Sequence, residues 1–225
     1  MTRSNLNVPQ RTLTDIRDSK TYRVRKLADG NIWMTQNLAL GSGSGAITLH
    51  SYDSDVSSDW VLPQAQTSGS DAWVNTNVKH LYATNNTTYG NYYNWFTATA
   101  GTGLDTMSSP EIASSSICAR GWQLPNGGES LIRSFYALDL ALGGPGNNSP
   151  GVARLNKYIN APQSFPYSGV YNNLGVRFQG SVGYWWTRSV YAAGVAHSFS
   201  ITTDGVQVRN SNSVGNGWTV RCIAK

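Results

Sequence analysis

Charge is scarce in this 225-residue chain: Asp, Glu, Lys and Arg together make up 13% of it, about half the usual share. Solubility therefore rests on Ser, Thr, Asn and Gly, which fits a loop-rich, outward-facing protein better than a cytosolic enzyme. Cysteine is scarcer still, with Cys118 and Cys222 alone and far apart. There is no Cys-x-x-Cys, and His50, His80 and His197 stand at no ligand spacing from the cysteines. A zinc site is therefore not expected, and no metal is assigned. No stretch approaches the ~20 apolar residues of a membrane-spanning helix. The opening MTRSNLNVPQ lacks the apolar core of a signal peptide. Signal-independent export, a removed leader and carriage on a larger particle all stay open. Also missing are a Gly-x-Ser-x-Gly elbow, a His-Glu-x-x-His pair and a phosphate loop. No catalytic residue and no cofactor is assigned.

Positive charge is present but localised. The formal net charge is +5. Arg3, Arg11, Arg17, Lys20, Arg23, Arg25 and Lys26 against Asp15 and Asp18 account for all of it, so the rest of the chain is neutral. Nucleic acid would need a basic stripe across the folded body, and it is not an expected partner.

The patterning is mixed. Tyr22, Val24 and Lys26, then Asp29-Gly30, then Ile32 and Met34 describe a hairpin turning at the Asp-Gly pair. Residues 41–88 read as a long irregular insertion carrying Trp60 and Trp73. Asp53, Asp55 and Asp59 within it read as a solvated acidic turn, because the spacing is not that of a calcium loop. Asn126-Gly-Gly-Glu129 has capping-box spacing, and Leu131, Phe135, Leu138 and Leu142 follow at helical intervals until Gly143-Gly144-Pro145. A second helix is expected near Ser149-Pro150, with Val152, Leu155 and Ile159 on its apolar face. The C-terminal third turns to strand: an aromatic run at 183–187, alternation from His197 to Thr202, a turn at Asp204-Gly205, and a polar loop over 209–217. Phe199, Ile201, Val206, Val208 and Trp218 are the expected core side. Pairing of the two cysteines is the economical expectation, and two buried free thiols are the alternative. Eight Trp and twelve Tyr are many for this length, and packing accounts for most of them.

Several of these stretches resemble a known family. Asp15-x-Arg17-Asp18-x-Lys20-x-Tyr22 and Gly30-x-x-Trp33-Met34-x-x-Asn37-Leu38 look like the opening of the Fibrobacter succinogenes major paralogous domain. Tyr89-Gly90-x-x-Tyr93-x-Trp95, Ile117-Cys118-x-x-Gly121-Trp122-x-Leu124-Pro125, Trp185-Trp186-Thr187 and Val220-Arg221-Cys222 continue it in order. Ala119-Arg120 departs from the family's Pro-containing dipeptide, and the polar insertion at 41–78 is longer than the family's. That group is similar to the formylglycine-generating-enzyme branch of the C-type-lectin fold, which also serves the variable proteins of diversity-generating retroelements. The resemblance implies an α+β, C-type-lectin-like fold with two helices beside antiparallel sheets. It also implies that the two ends of the domain lie close together, which fits a Cys118–Cys222 bridge. One domain over 1–225 is expected, with an N-terminal arm over 1–14 and a C-terminal display segment over 184–222.

The same resemblance implies a function. In retroelement variable proteins, diversity is written into the stretch before the terminal strand by mutation at adenines of Asn codons. Such changes cannot yield Trp, Lys, Glu or Met, and residues 189–217 contain none of these. Gln207 does not fit the codon pattern and is expected to be invariant. Outward-facing ligand contacts are expected at Ser189, Val190, Tyr191, Ala193, Gly194, Ser198, Ser200, Arg209, Asn210, Asn212, Val214 and Asn216. Tyr, Ser, Gly and Asn are also the palette of antibody paratopes. His197 and Ser198, adjacent on a strand, point to opposite faces and make no catalytic pair. The expected partner is a protein or cell-surface ligand, met at a cell surface, outside the cell or on a virion. The rival readings are a metal-independent carbohydrate-binding adhesin and a thiol-dependent oxidase like the formylglycine-generating enzymes.

Overall fold

Along Thr21–Lys26 the pleat sends Tyr22 and Val24 inward and leaves Thr21 and Arg23 exposed. The computed structural model describes residues 5–7, 11–41, 43–66, 81–86 and 88–225. Arg3 and Pro9 of the expected arm, Trp73 and His80 lie outside them. Thr21–Lys26 pairs with Ile32–Met34 across the Asp29-Gly30 turn, with Lys26 opposite Ile32. Gly30 holds a φ of 79°, a conformation that Gly adopts without strain. The six-stranded antiparallel sheet runs Asn5–Asn7, Thr12–Thr14, Thr21–Lys26, Ile32–Met34, Ile223–Ala224, Trp122–Gln123. The last strand therefore slots in beside the opening hairpin, with Ile223 opposite Trp33. Next to it Cys118 and Cys222 form a disulfide, their Cα atoms 5.9 Å apart.

The protein is mixed α+β and strand-dominated, with three helices among the described residues: α1, Trp95–Ala98; α2, Phe135–Ala141; and α3, Val152–Ile159. Helix α1 has no counterpart in the sequence reading. Helix α2 starts later than the capping-box spacing suggested. Ser134 is its N-cap, and its Oγ accepts from the Ala137 N–H at 3.0 Å. Asn126 and Glu129 sit in a loop, where Leu131 and Ile132 are exposed. Gly127 in this loop packs tightly on His197: a Cβ there would stand 2.4 Å from the His197 Cβ. Helix α3 buries Leu155 and Tyr158, whereas Val152 faces solvent.

Adjacent strand residues point to opposite faces, and Trp185 and Trp186 use this to join two separate cores. Trp186 stacks on Trp218 at 4.0 Å within the core that holds the disulfide. Trp185 meets Phe165 and Phe199 in the core that α2 and α3 cover. Buried ion pairs add specificity: Asp15 binds Arg17 at 2.5 Å, and Asp139 binds Arg154 at 2.8 Å. Arg17 also donates to the Ile117 carbonyl at 2.9 Å, tying the first motif to the cysteine strand.

The described part of the 41–88 insertion is more ordered than its composition suggests. It holds the strands Ile47–Leu49, Ser54–Asp55, Trp60–Leu62 and Tyr82–Ala83, and buries Leu49, Leu62 and Tyr82. Asp53 and Asp55 are buried rather than solvated. Asp53 accepts from the His50 N–H at 3.0 Å and from Ser54 Oγ at 2.6 Å. Asp55 accepts from Ser116 Oγ and pairs with Lys225, and its burial raises its pKa. Asp59 stays exposed and pairs with His50. Among the described residues no group of three or more His, Cys, Asp or Glu could hold a metal ion. No helix among them is long and apolar enough to cross a membrane.

Candidate ligand-binding surface

The C-terminal third forms a four-stranded antiparallel sheet in the order Asn148–Pro150, Gly205–Ser213, Val195–Thr202, Val182–Ala192. The turn expected at Asp204-Gly205 falls one residue earlier, at Thr203-Asp204, with Gly205 already in the strand opposite Thr202. The opposite tip turns at Ala193-Gly194, where Gly194 has a φ of 71°. The 209–217 stretch is not all loop. Strand pairing continues to Ser213, with Asn210 opposite Ser198 and Asn212 opposite Ala196, past a register shift at Ser198/Ser200. Phe199, Ile201, Val206, Val208 and Trp218 are buried, as their alternation implied.

The polar side of this alternation divides. Tyr191 and Ala193 are exposed, and Gly194, Arg209, Asn210, Asn212 and Asn216 are partly so. Ser189, Val190, Ser198, Ser200 and Val214 are buried, against expectation. Two features account for Ser189, Val190 and Val214. The 105–113 segment runs along the outer strand: Ala113 N–H donates to Arg188 O, Val190 N–H to Glu111 O, and Gly194 N–H to Asp105 O. Helix α1 docks on the tip, with Trp95 N–H donating to Val214 O, and Val190 and Val214 join the disulfide core. Ser189 Oγ accepts from Gly127 N–H at 2.9 Å. Ser200 Oγ sits between Asn210 Nδ2 at 3.0 Å and Gln207 Oε1 at 3.1 Å. Ser198 Oγ is buried with no hydrogen-bond partner among the described residues.

Four of the accessible residues, Tyr191, Arg209, Asn212 and Asn216, line clefts among the described residues, whereas Ala193, Gly194 and Asn210 do not. A cleft of about 540 Å³ is walled by the Gly128-Glu129 loop, Asn148, Tyr191, His197 and Arg209. Glu129 pairs with Arg209 across it. Asn148 holds the Arg209 backbone from both sides, accepting from its N–H at 2.9 Å and donating to its carbonyl at 3.3 Å. Tyr191 meets the His197 ring edge-on at 5.3 Å. Burial lowers the His197 pKa, with the Asn210 backbone opposing, and its Nδ1 has no hydrogen-bond partner among the described residues. A neighbouring cleft of about 400 Å³ shares Gly128, Glu129 and His197.

Another cleft, of about 320 Å³, is lined by Phe178, Val182, Tyr184, Asn212, Asn216 and Trp218. Tyr184 stacks on Trp218 at 4.7 Å, and Phe178 is exposed with a left-handed φ of 60°. Asn212 and Asn216 thus border a different cleft from Tyr191 and Arg209. Glu129, Asn148, His197, Phe178 and Tyr184 were not among the sequence-expected contacts. Only the fold brings Glu129 to Arg209, and no local signal marks it. Comparison of the chain with protein-family models, curated proteins and solved structures finds no match.

Proposed function

We propose that the protein is a non-enzymatic ligand-binding display protein with a C-type-lectin-like fold, the variable protein of a diversity-generating retroelement. It binds protein or cell-surface ligands through Tyr191, Ala193, Gly194, Arg209, Asn210, Asn212 and Asn216. One observation carries the reading: in the C-terminal third, Phe199, Ile201, Val206 and Val208 are locked in a core while these seven positions reach solvent, four of them (Tyr191, Arg209, Asn212 and Asn216) lining clefts. A surface that tolerates substitution needs this separation of roles. Supporting the fold assignment, the terminal strand pairs inside the opening sheet, and α2 and α3 pack over the four-stranded sheet. Engagement of both cysteines in the disulfide supports binding over a thiol-dependent oxidation.

The test is to sequence the gene across related isolates and to look beside it for a template repeat and a reverse transcriptase. Substitutions confined to the seven positions, with Phe199, Ile201 and Trp218 spared, are expected. Variation spread evenly over exposed and buried positions would refute the display role.

A carbohydrate reading has one observation in its favour, the exposed Phe178 and the Tyr184–Trp218 stack beside the Asn212 and Asn216 amides. A glycan array run with and without chelator separates it: chelator-resistant sugar binding supports it, and an empty array removes it.

A further inference from the structure

Three arginine side chains are deeply buried, and two of them have a counter-charge. Arg17 is held by Asp15, and Arg154 by Asp139. Arg221 is 1% exposed and has no carboxylate partner among the described residues. Its Nε donates to Asn37 Oδ1 at 2.9 Å, and its terminal nitrogens donate to the Gln163 and Ser164 carbonyls. The guanidinium lies over the Phe165 ring, 3.8 Å from its centroid. These contacts orient the group but bring no net negative charge, and they occupy three of its five N–H donors. The charged neighbour acting on it is a second cation, Arg23. A buried charge without an opposite partner is costly, so this arrangement calls for an anion.

The space for one is there. A pocket of about 320 Å³ is lined by Arg23, Thr35, Gln36, Thr88, Ser164 and Arg221, with no acidic side chain among its lining residues. Gln36 Oε1 accepts from the Arg23 N–H at 2.7 Å, which leaves its amide NH2 to serve as a donor. Three hydroxyls and one amide thus surround two guanidinium groups. None of these residues belongs to 189–217.

We infer that this pocket is an anion site that takes a tetrahedral oxyanion group, a phosphate or a sulfate. Two guanidiniums match a doubly charged group, and their forked N–H donors match its oxygens. The Thr88 and Ser164 hydroxyls and the Gln36 amide supply donors for oxygens that the arginines do not reach, while the Thr35 hydroxyl already donates to the Arg23 carbonyl at 3.4 Å.

The full chain is titrated with inorganic phosphate, with sulfate and with glycerol 3-phosphate, against sodium chloride at matched ionic strength, by calorimetry and thermal unfolding. Saturable heat and a rise in Tm are expected with the oxyanions and not with chloride. Preferred binding of inorganic phosphate identifies a free ion as the occupant, and tighter binding of the phosphomonoester identifies a group on a larger molecule. Arg23→Ala, on an exposed side chain, is expected to weaken phosphate binding at least tenfold while the protein stays folded. Gln36→Glu places a carboxylate where the anion's charge belongs. It is expected to raise Tm without added anion and to abolish the phosphate response. Equal responses to phosphate and chloride, or undiminished phosphate binding in either variant, overturn the assignment.

Discussion

Asn37 Oδ1 accepts hydrogen bonds from Trp185 Nε1 at 2.7 Å and from Arg221 Nε at 2.9 Å. Its Nδ2 donates to the Tyr89 carbonyl at 2.8 Å, and a Cβ on Gly90 would lie only 2.6 Å from the Asn37 Cβ. Stretches that are remote in the chain therefore converge on one buried amide. Asn37→Leu keeps the approximate volume but strands an indole N–H and a guanidinium N–H. A loss on the order of 3 kcal/mol is expected. Urea unfolding should show a lower midpoint at an unchanged slope.

The exposed and buried positions of the C-terminal hairpin should respond oppositely to substitution. Asn212→Tyr and Tyr191→Ser are expected to stay within about 0.5 kcal/mol of the parent. Phe199→Ala removes a ring that stacks on Phe135 at 4.4 Å and should cost about 3–5 kcal/mol. Ser200→Tyr should also destabilise strongly, because Ser200 is fully buried between Asn210 and Gln207. Denaturant melts of the four variants check all three statements together.

His197 gives a pH dependence whose sign follows from its lowered pKa. The unfolded chain holds a proton below about 6.5, where the native ring is still neutral, so the unfolded state binds more protons in that window. Stability is full above the unfolded value and declines as pH falls towards the native one. His197→Gln should flatten the stability profile between about pH 7 and 5. Asp55, with a pKa raised by burial, acts with the opposite sign, and the His197→Gln variant isolates the histidine's part from it.

The disulfide closes a loop with a sequence separation of 104. Replacing Cys118 and Cys222 with Ala should lower stability by about 4–5 kcal/mol, the chain-entropy value for a loop of this length. Thiol titration of the folded, unreduced protein should find no free sulfhydryl, and reduction in denaturant should release both.

Hairpins and core were readable where a local rule settles the outcome. Gly30 after Asp29 provides a turn conformation that needs no tertiary context, whereas Gly205 is a strand residue whose missing Cβ makes room for Pro150. The alternation of Phe199, Ile201, Val206 and Val208 gave one core-facing side. Alternation also implied that Ser198 and Ser200 face solvent, and there it misled, since a small polar residue fits a covered face as well as a wet one. The cover over Val190 and Val214 comes from the 105–113 segment and α1, which are distant in sequence. The start of α2 was misplaced because Asn126 and Ser134 both suit an N-cap. Asn126 instead bonds the Ile132 and Arg133 backbone to close a loop, and Ser134 caps the helix. Asp53 and Asp55 read as surface by composition; Asp53 is held by its chain neighbours His50 and Ser54, but the partners of Asp55, Ser116 and Lys225, are supplied by the fold.

The Arg209–Glu129 pair links a strand residue to the loop on the far wall of its cleft, and both side chains are substantially exposed. An exposed pair of this kind contributes less than about 1 kcal/mol. Exchanging Arg209 therefore touches two walls at once: the strand loses one side chain, and Glu129 loses its ion-pair partner while Gly127 stays bonded to Ser189. One codon change can recut the shape of the cavity as well as its chemistry, while the aromatic interior that sets the melting temperature stays untouched.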